Sequence, residues 1–116
     1  YDTIWTERYM GLVEDNPEGY KNASVLTHVD KAKGHLLQIH GNADDNVHHQ
    51  HTLKLAKAYA EHGKEMEMYI YSNANHGMYN NNFLSQENPA DGWKNRFHVY
   101  KKMTDFFIEH LVTDNF

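Results

Sequence analysis

The 116 residues contain no cysteine. That excludes disulfides and thiol nucleophiles, and it leaves the compartment open, because many secreted bacterial proteins also lack cysteine. No stretch approaches the roughly 20 apolar residues that cross a bilayer. Basic runs are absent as well: 11 Lys and Arg stand against 16 Asp and Glu, a net charge of −5, so nucleic acid is not an expected partner. There is no internal repeat, and nothing of low complexity beyond Asn80-Asn81-Asn82. Neither a signal peptide nor a methionine opens the chain; it begins Tyr1-Asp2-Thr3, which reads as a fragment. The zinc-protease pattern HExxH does not occur, and none of the three serines, Ser24, Ser72 and Ser85, lies between glycines as in a G-x-S-x-G nucleophile turn.

What is present is organised around Leu36 to His48, LLQIHGNADDNVH. A nearly continuous apolar run over His35–His40 predicts a strand buried on both faces, as in a parallel sheet. It stops at Gly41 and releases Asp44 and Asp45 into a polar loop. A helix is predicted over Val47–His62, with His49, Leu53, Ala56 and Ala60 at helical spacing and Gly63 as its left-handed stop. Met66 to Tyr71 alternates with period two and predicts a second strand. A long polar loop, Ser72 to about Gly92, carries His76. The final helix is predicted over Trp93–Val112, with Trp93, Phe97, Tyr100, Phe107 and Leu111 on one face as core. Upstream, Tyr1–Met10 reads as a loop entering a short helix. Asn16 caps a helix opened by Pro17, about Pro17–Ser24. Val25–Lys33 reads as a connector. Strand, helix, strand, helix with a right-handed crossover makes the two strands parallel, so the fold class is α/β.

Ligands in open α/β sheets gather at the carboxyl ends of the strands. There, Asp44 follows one strand and His76 the other, an acid and a base 32 positions apart. Asp45 competes for the acid role, with the helix-start acid as its plain reading. The histidines His48, His49 and His51 raise a metal site, since His48 and His51 are one turn apart on a helix. No spacing suggests a third ligand, so a polar helix start is preferred and no metal or other cofactor is expected. Tyr1, Trp5 and Tyr9 recur every four residues, which by itself describes a packed helix face.

Four segments carry a resemblance to a known family: Tyr1-Asp2 with TERYMG at Thr6–Gly11; His40-Gly41 with ADDNVH at Ala43–His48; Asn75-His76-Gly77; and RFHVYKKMTDFF at Arg96–Phe107. In order and over nearly the whole chain, they resemble the C-terminal end of the catalytic domain in the prolyl oligopeptidase family of serine peptidases, in its dipeptidyl peptidase IV-like branch of bacterial type. The resemblance implies that residues 1–116 are the C-terminal part of an α/β-hydrolase domain, two parallel strands alternating with helices, incomplete alone. Such a domain is roughly twice this length or more, and in the family it is joined to a β-propeller. It implies Asp44 as triad acid and His76 as triad base, with the serine upstream of Tyr1. It also implies Tyr1, Trp5 (where the branch usually has Tyr), Tyr9 and Val47 around the pocket for a proline-like side chain, and Asn46 as donor to a substrate carbonyl. The family's oxyanion tyrosine and the glutamates that hold the substrate amino terminus lie outside these residues.

The implied activity of the parent is release of N-terminal dipeptides after Pro or Ala from a peptide substrate, with a periplasmic or extracellular location favoured. The chain alone is expected to be inactive. The alternative is a non-catalytic interaction module or a self-associating relic of the same fold. In either case two strands and two helices leave an edge and apolar faces uncovered, so copies of the chain are expected to pair.

Overall fold

A computed structural model describes residues 3–79 and 92–112. Tyr1 and most of the polar loop after His76 lie outside the described residues. The elements run α1 (Thr3–Met10), α2 (Pro17–Ala23), a 3-10 helix (Val25–Lys31), β1 (Leu37–Gly41), α3 (Gln50–Glu61), β2 (Glu67–Tyr71) and α4 (Gly92–Phe107), which continues as a π-helical turn, Ile108–Val112.

β1 and β2 pair in parallel, Leu37 opposite Glu67 through Gly41 opposite Tyr71. The crossover between them is α3, and Gly63 ends it at φ +62°, a conformation that suits glycine because a side chain there would crowd the backbone. Side chains alternate across a strand, so the two sheet faces separate cleanly. His40 faces α3, where its Nδ1 meets the Thr52 hydroxyl at 2.7 Å. Tyr69 and Tyr71 face α4: the Tyr71 hydroxyl is 2.7 Å from His98 Nδ1, and Lys102 lies over the Tyr69 ring. The result is a three-layer α/β/α arrangement whose middle layer, among the described residues, has two strands.

Three expectations are corrected. Val25–Lys31, read as a connector, is a 3-10 helix, and its Val29 is 2% exposed. A three-residue period on so short a segment leaves no 3.6-residue pattern to read. The helix expected from Val47 begins at Gln50, because the Val47 N–H is engaged by the Asp44 carboxylate in the loop and its carbonyl by the His40 ring of β1. Asp45 therefore stands well ahead of α3 and is not a first-turn acid. Lastly, the α4 stripe is not core within this chain. Trp93, Phe97, Tyr100, Phe107 and Leu111 are all at least half exposed, and Phe97 reaches 73%.

The buried apolar set among the described residues is correspondingly small: Val29, Tyr71 and Ala74. The radius of gyration, 17.3 Å, exceeds the ~13 Å of a compact domain of this length. Among the described residues the apolar stripe of α4 stays largely exposed, and on α3 Leu53 is 44% exposed.

Candidate active site

Both strands end at the same edge of the sheet, and the loops that leave them are stitched together. The Asn42 N–H donates to the Tyr71 carbonyl and the Ala43 N–H to the Ala74 carbonyl, each at 3.0 Å. The Asn73 N–H donates to the Asn42 side chain at 2.7 Å. Gly41 makes this approach possible, since a Cβ there would collide with the Ala74 carbonyl. The second loop is then closed by Asn75. Its side-chain oxygen accepts from the N–H groups of Gly77 and Tyr79, and its own N–H donates to the Tyr79 carbonyl. His76 projects from this turn.

Asp44 Oδ2 and His76 Nδ1 are 2.9 Å apart. The Asp44 side chain is 1% exposed and that of His76 53% exposed, so the acid sits beneath an accessible imidazole. The other carboxylate oxygen, Oδ1, accepts from the backbone N–H groups of Asn46 at 2.9 Å and Val47 at 2.8 Å. Burial by itself would push this carboxyl up. The hydrogen bond from His76, the N–H donors of Val47 and Asn46 and the nearby imidazole charge outweigh it and bring the pKa from 3.8 down to about 2. Asp44 is therefore a carboxylate throughout the neutral range, and it accepts from His76 Nδ1–H. In the neutral ring that leaves Nε2 as the lone-pair nitrogen, a base held in a defined tautomer.

It is Asp44, not Asp45, that is buried and reaches His76; Asp45 is exposed. Asn46 and Val47 enter the site through their backbone, as donors to Asp44. Trp5 and Tyr9 lie against each other at 4.7 Å between ring centroids, both more than 60% exposed, on a helix separate from the two loops. Tyr1 is outside the described residues. Among the described residues no cluster of three or more His, Cys, Asp or Glu is placed to hold a metal ion, and none of the described helices is long and apolar enough to cross a membrane.

One participant was not legible in the sequence. His40, read there as the end of a strand and as part of a segment that carries the resemblance but given no role in the site, is 6% exposed and places its Nε2 3.0 Å from the same Asp44 Oδ2 and 2.7 Å from the Val47 carbonyl. The spacing of four between His40 and Asp44 was a signal, but on a strand followed by a turn such spacing has no fixed geometric meaning.

A cavity of about 280 Å³ opens beside the imidazole, lined by His76, Gly77, Met78, Arg96, Val99 and Tyr100. A larger one, about 580 Å³, lies at the opposite end of the strands between β2 and α3. It is remote from the acid–base pair and marks uncovered sheet rather than chemistry.

Parallel strands that present a buried carboxylate and an exposed imidazole at their carboxyl ends define a portion of an α/β-hydrolase fold. Residues 1–113 match the model of the prolyl oligopeptidase family, and the chain belongs to that family. It is 42% identical over 84 residues to dipeptidyl peptidase 4 of Sus scrofa, an alignment covering 70% of this chain and 11% of that protein. It is 41% identical over 81 residues to the Bos taurus enzyme, with 67% and 11% covered. The structure superimposes on Porphyromonas gingivalis dipeptidyl peptidase 4 with a TM-score of 0.80 at 33% identity, over 96% of this chain and 14% of that one. The chain thus spans about a tenth of the length of the curated relatives it matches.

Proposed function

We propose that this chain is the C-terminal part of the catalytic domain of a serine exopeptidase of the dipeptidyl peptidase IV type, and that it supplies the acid and base of a Ser-Asp-His triad. The observation that carries the reading is the 2.9 Å hydrogen bond between the buried Asp44 Oδ2 and the exposed His76 Nδ1. It is supported by membership of a peptidase family and by the dipeptidyl peptidases the chain resembles.

In this reading a serine hydroxyl contributed from outside these residues meets His76 Nε2 and attacks the peptide carbonyl as His76 takes its proton. His76 then returns the proton to the leaving amine. Asp44 fixes the ring with Nδ1 protonated and stabilises the imidazolium while it lasts. Tyr1, Trp5, Tyr9 and Val47 are proposed to line the pocket for a proline-like side chain, and the Asn46 side chain, which is exposed, to donate to a substrate carbonyl. The substrates are peptides released as N-terminal dipeptides after Pro or Ala. The chain by itself turns over nothing, because acid and base without a nucleophile leave the acyl-transfer step without an attacking atom.

The test is an assay of the full-length protein carrying this chain on a Gly-Pro chromogenic substrate, beside the His76→Ala variant. Turnover that is lost in the variant supports the reading; an inactive wild type, or an active His76→Ala protein, sinks it.

The alternative, a self-associating module, is favoured by a different observation, the exposed stripe on α4. The stripe asks for a covering surface, and a second copy of the chain is one way to provide it. Pairing and catalysis are compatible.

A further inference from the structure

We propose that His40 is a positioning residue for the acid–base pair: an imidazole, protonated at Nε2, that supplies the fourth donor to Asp44 and so aims Oδ2 at His76. Its consequence for turnover rests on the peptidase reading above; its geometry does not.

A carboxylate has room for about two donors on each oxygen. Asp44 Oδ1 is filled by two backbone N–H groups, from Asn46 and Val47. Oδ2 receives His76 Nδ1 at 2.9 Å and His40 Nε2 at 3.0 Å. With the Asp44 side chain 1% exposed, water cannot stand in for a lost donor. Two bonds at Oδ1 hold one end of the group but leave it free to turn. The donor from His40 fixes the plane, and it does so from a rigid element, the next-to-last residue of β1.

The tautomer of His40 follows from its surroundings. Nε2 faces two acceptors, the Asp44 carboxylate and the Val47 carbonyl at 2.7 Å. Neither can donate, so Nε2 carries the proton. Nδ1 meets the Thr52 hydroxyl of α3 at 2.7 Å. One ring thereby ties strand, acid loop and crossover helix to the same carboxylate. Asp44 is met by different ring nitrogens of the two histidines: Nδ1 of His76 and Nε2 of His40.

The experiment uses the full-length protein as wild type, His40→Leu and His40→Gln, assayed on a Gly-Pro chromogenic substrate. Rates are divided by the concentration of sites titrated with a serine-reactive fluorophosphonate. Leucine has no donor, whereas the glutamine amide nitrogen falls near Nε2. In His40→Leu, kcat falls about tenfold, the effect of removing one donor to a buried charge. KM stays within about twofold, and His40→Gln recovers the larger part of the loss. An unchanged kcat in His40→Leu, a loss that glutamine does not repair, or a loss that disappears on division by titrated sites overturns the proposal.

The low-field proton spectrum of histidine-labelled protein gives a second readout. It is expected to include the two imidazole N–H signals that answer to Asp44, His40 Nε2–H and His76 Nδ1–H. His40→Gln removes the first, and Asp44→Asn displaces both. A His40 without a proton at Nε2, or indifferent to Asp44→Asn, overturns the proposal. This spectrum decides even where the wild type is inactive, the result that counts against the peptidase reading instead.

Discussion

At the scale of single residues, the chemistry rests on how completely Asp44 is satisfied. The carboxylate is closed off from water, and although burial pushes its pKa up, the His76 hydrogen bond and the N–H groups of Val47 and Asn46 bring it down to about 2. A carboxyl with a depressed folded pKa adds stability above its unfolded value and loses it as the pH falls through the folded value. The window here runs from about pH 4 to about pH 2, and the drop from 3.8 to about 2 corresponds to ~2 kcal/mol. Acid denaturation of the full-length protein, followed by the urea midpoint at successive pH values, checks this: the wild type steepens in that window, and Asp44→Asn is flatter there. In the proposed triad the same substitution reverses a hydrogen bond. The asparagine amide nitrogen faces Nδ1, so the ring is driven to the other tautomer, and kcat is expected to fall by about three to four orders of magnitude. A Gly-Pro assay normalised to titrated sites measures it. The sequence pointed to Asp44 and His76 because both follow strand ends. It did not point to His40, whose role exists only once the loop has folded back over its ring.

Elements bring these residues together through backbone contacts that tolerate no extra atom. Gly41 ends β1 where the Ala74 carbonyl occupies the place of a Cβ. Because the obstacle is backbone, Gly41→Ala must part the two loops, at a cost of ~2–4 kcal/mol, and it should lower kcat as well as the thermal midpoint by moving Asp44 from His76. Differential scanning calorimetry with a parallel kinetic assay follows both. Asn16 acts at a distance from this chemistry. Its side-chain oxygen accepts from the Gly19 N–H at 3.1 Å and caps α2, so Asn16→Ala should cost ~1 kcal/mol in the same calorimetric measurement and leave kcat unaltered. The cap and the proline after it were plain in the sequence, because capping is a local transaction between residues a turn apart. The 3-10 helix at Val25–Lys31 was not. Its burial of Val29 answers to the packing of α3 on it, and nothing in its own seven residues announces that neighbour.

Viewed as a whole molecule, the chain is a slice of a larger architecture. Among the described residues, two strands form the middle layer, the buried apolar set is three residues, and α4 carries large side chains into solvent. A contiguous apolar stripe of this kind drives association in water. The isolated chain should therefore self-associate, and Phe97→Asp, at the most exposed of the α4 aromatics, should reduce the association. Light scattering measures both; a compact, soluble wild-type monomer would argue strongly against copies of the chain pairing. The stripe itself was read correctly from its period, yet its assignment to the core was not. Periodicity says which face of a helix is apolar, and leaves unsaid whether the cover comes from the same chain.

What the sequence determined by itself is the set of local decisions: which runs become strands or helices, where glycine and proline interrupt them, and that an acid and a base each follow a strand. These depend on neighbours along the chain, and their energetics are readable from spacing. The tertiary structure decided which of two adjacent acids turns inward, that a second imidazole shares its oxygen, and how little of the apolar surface the chain can cover. Those outcomes depend on side chains 32 positions apart meeting within 3 Å, on a loop that folds back over the His40 ring, and on the close approach of two loops that only the parallel pairing of β1 and β2 brings about.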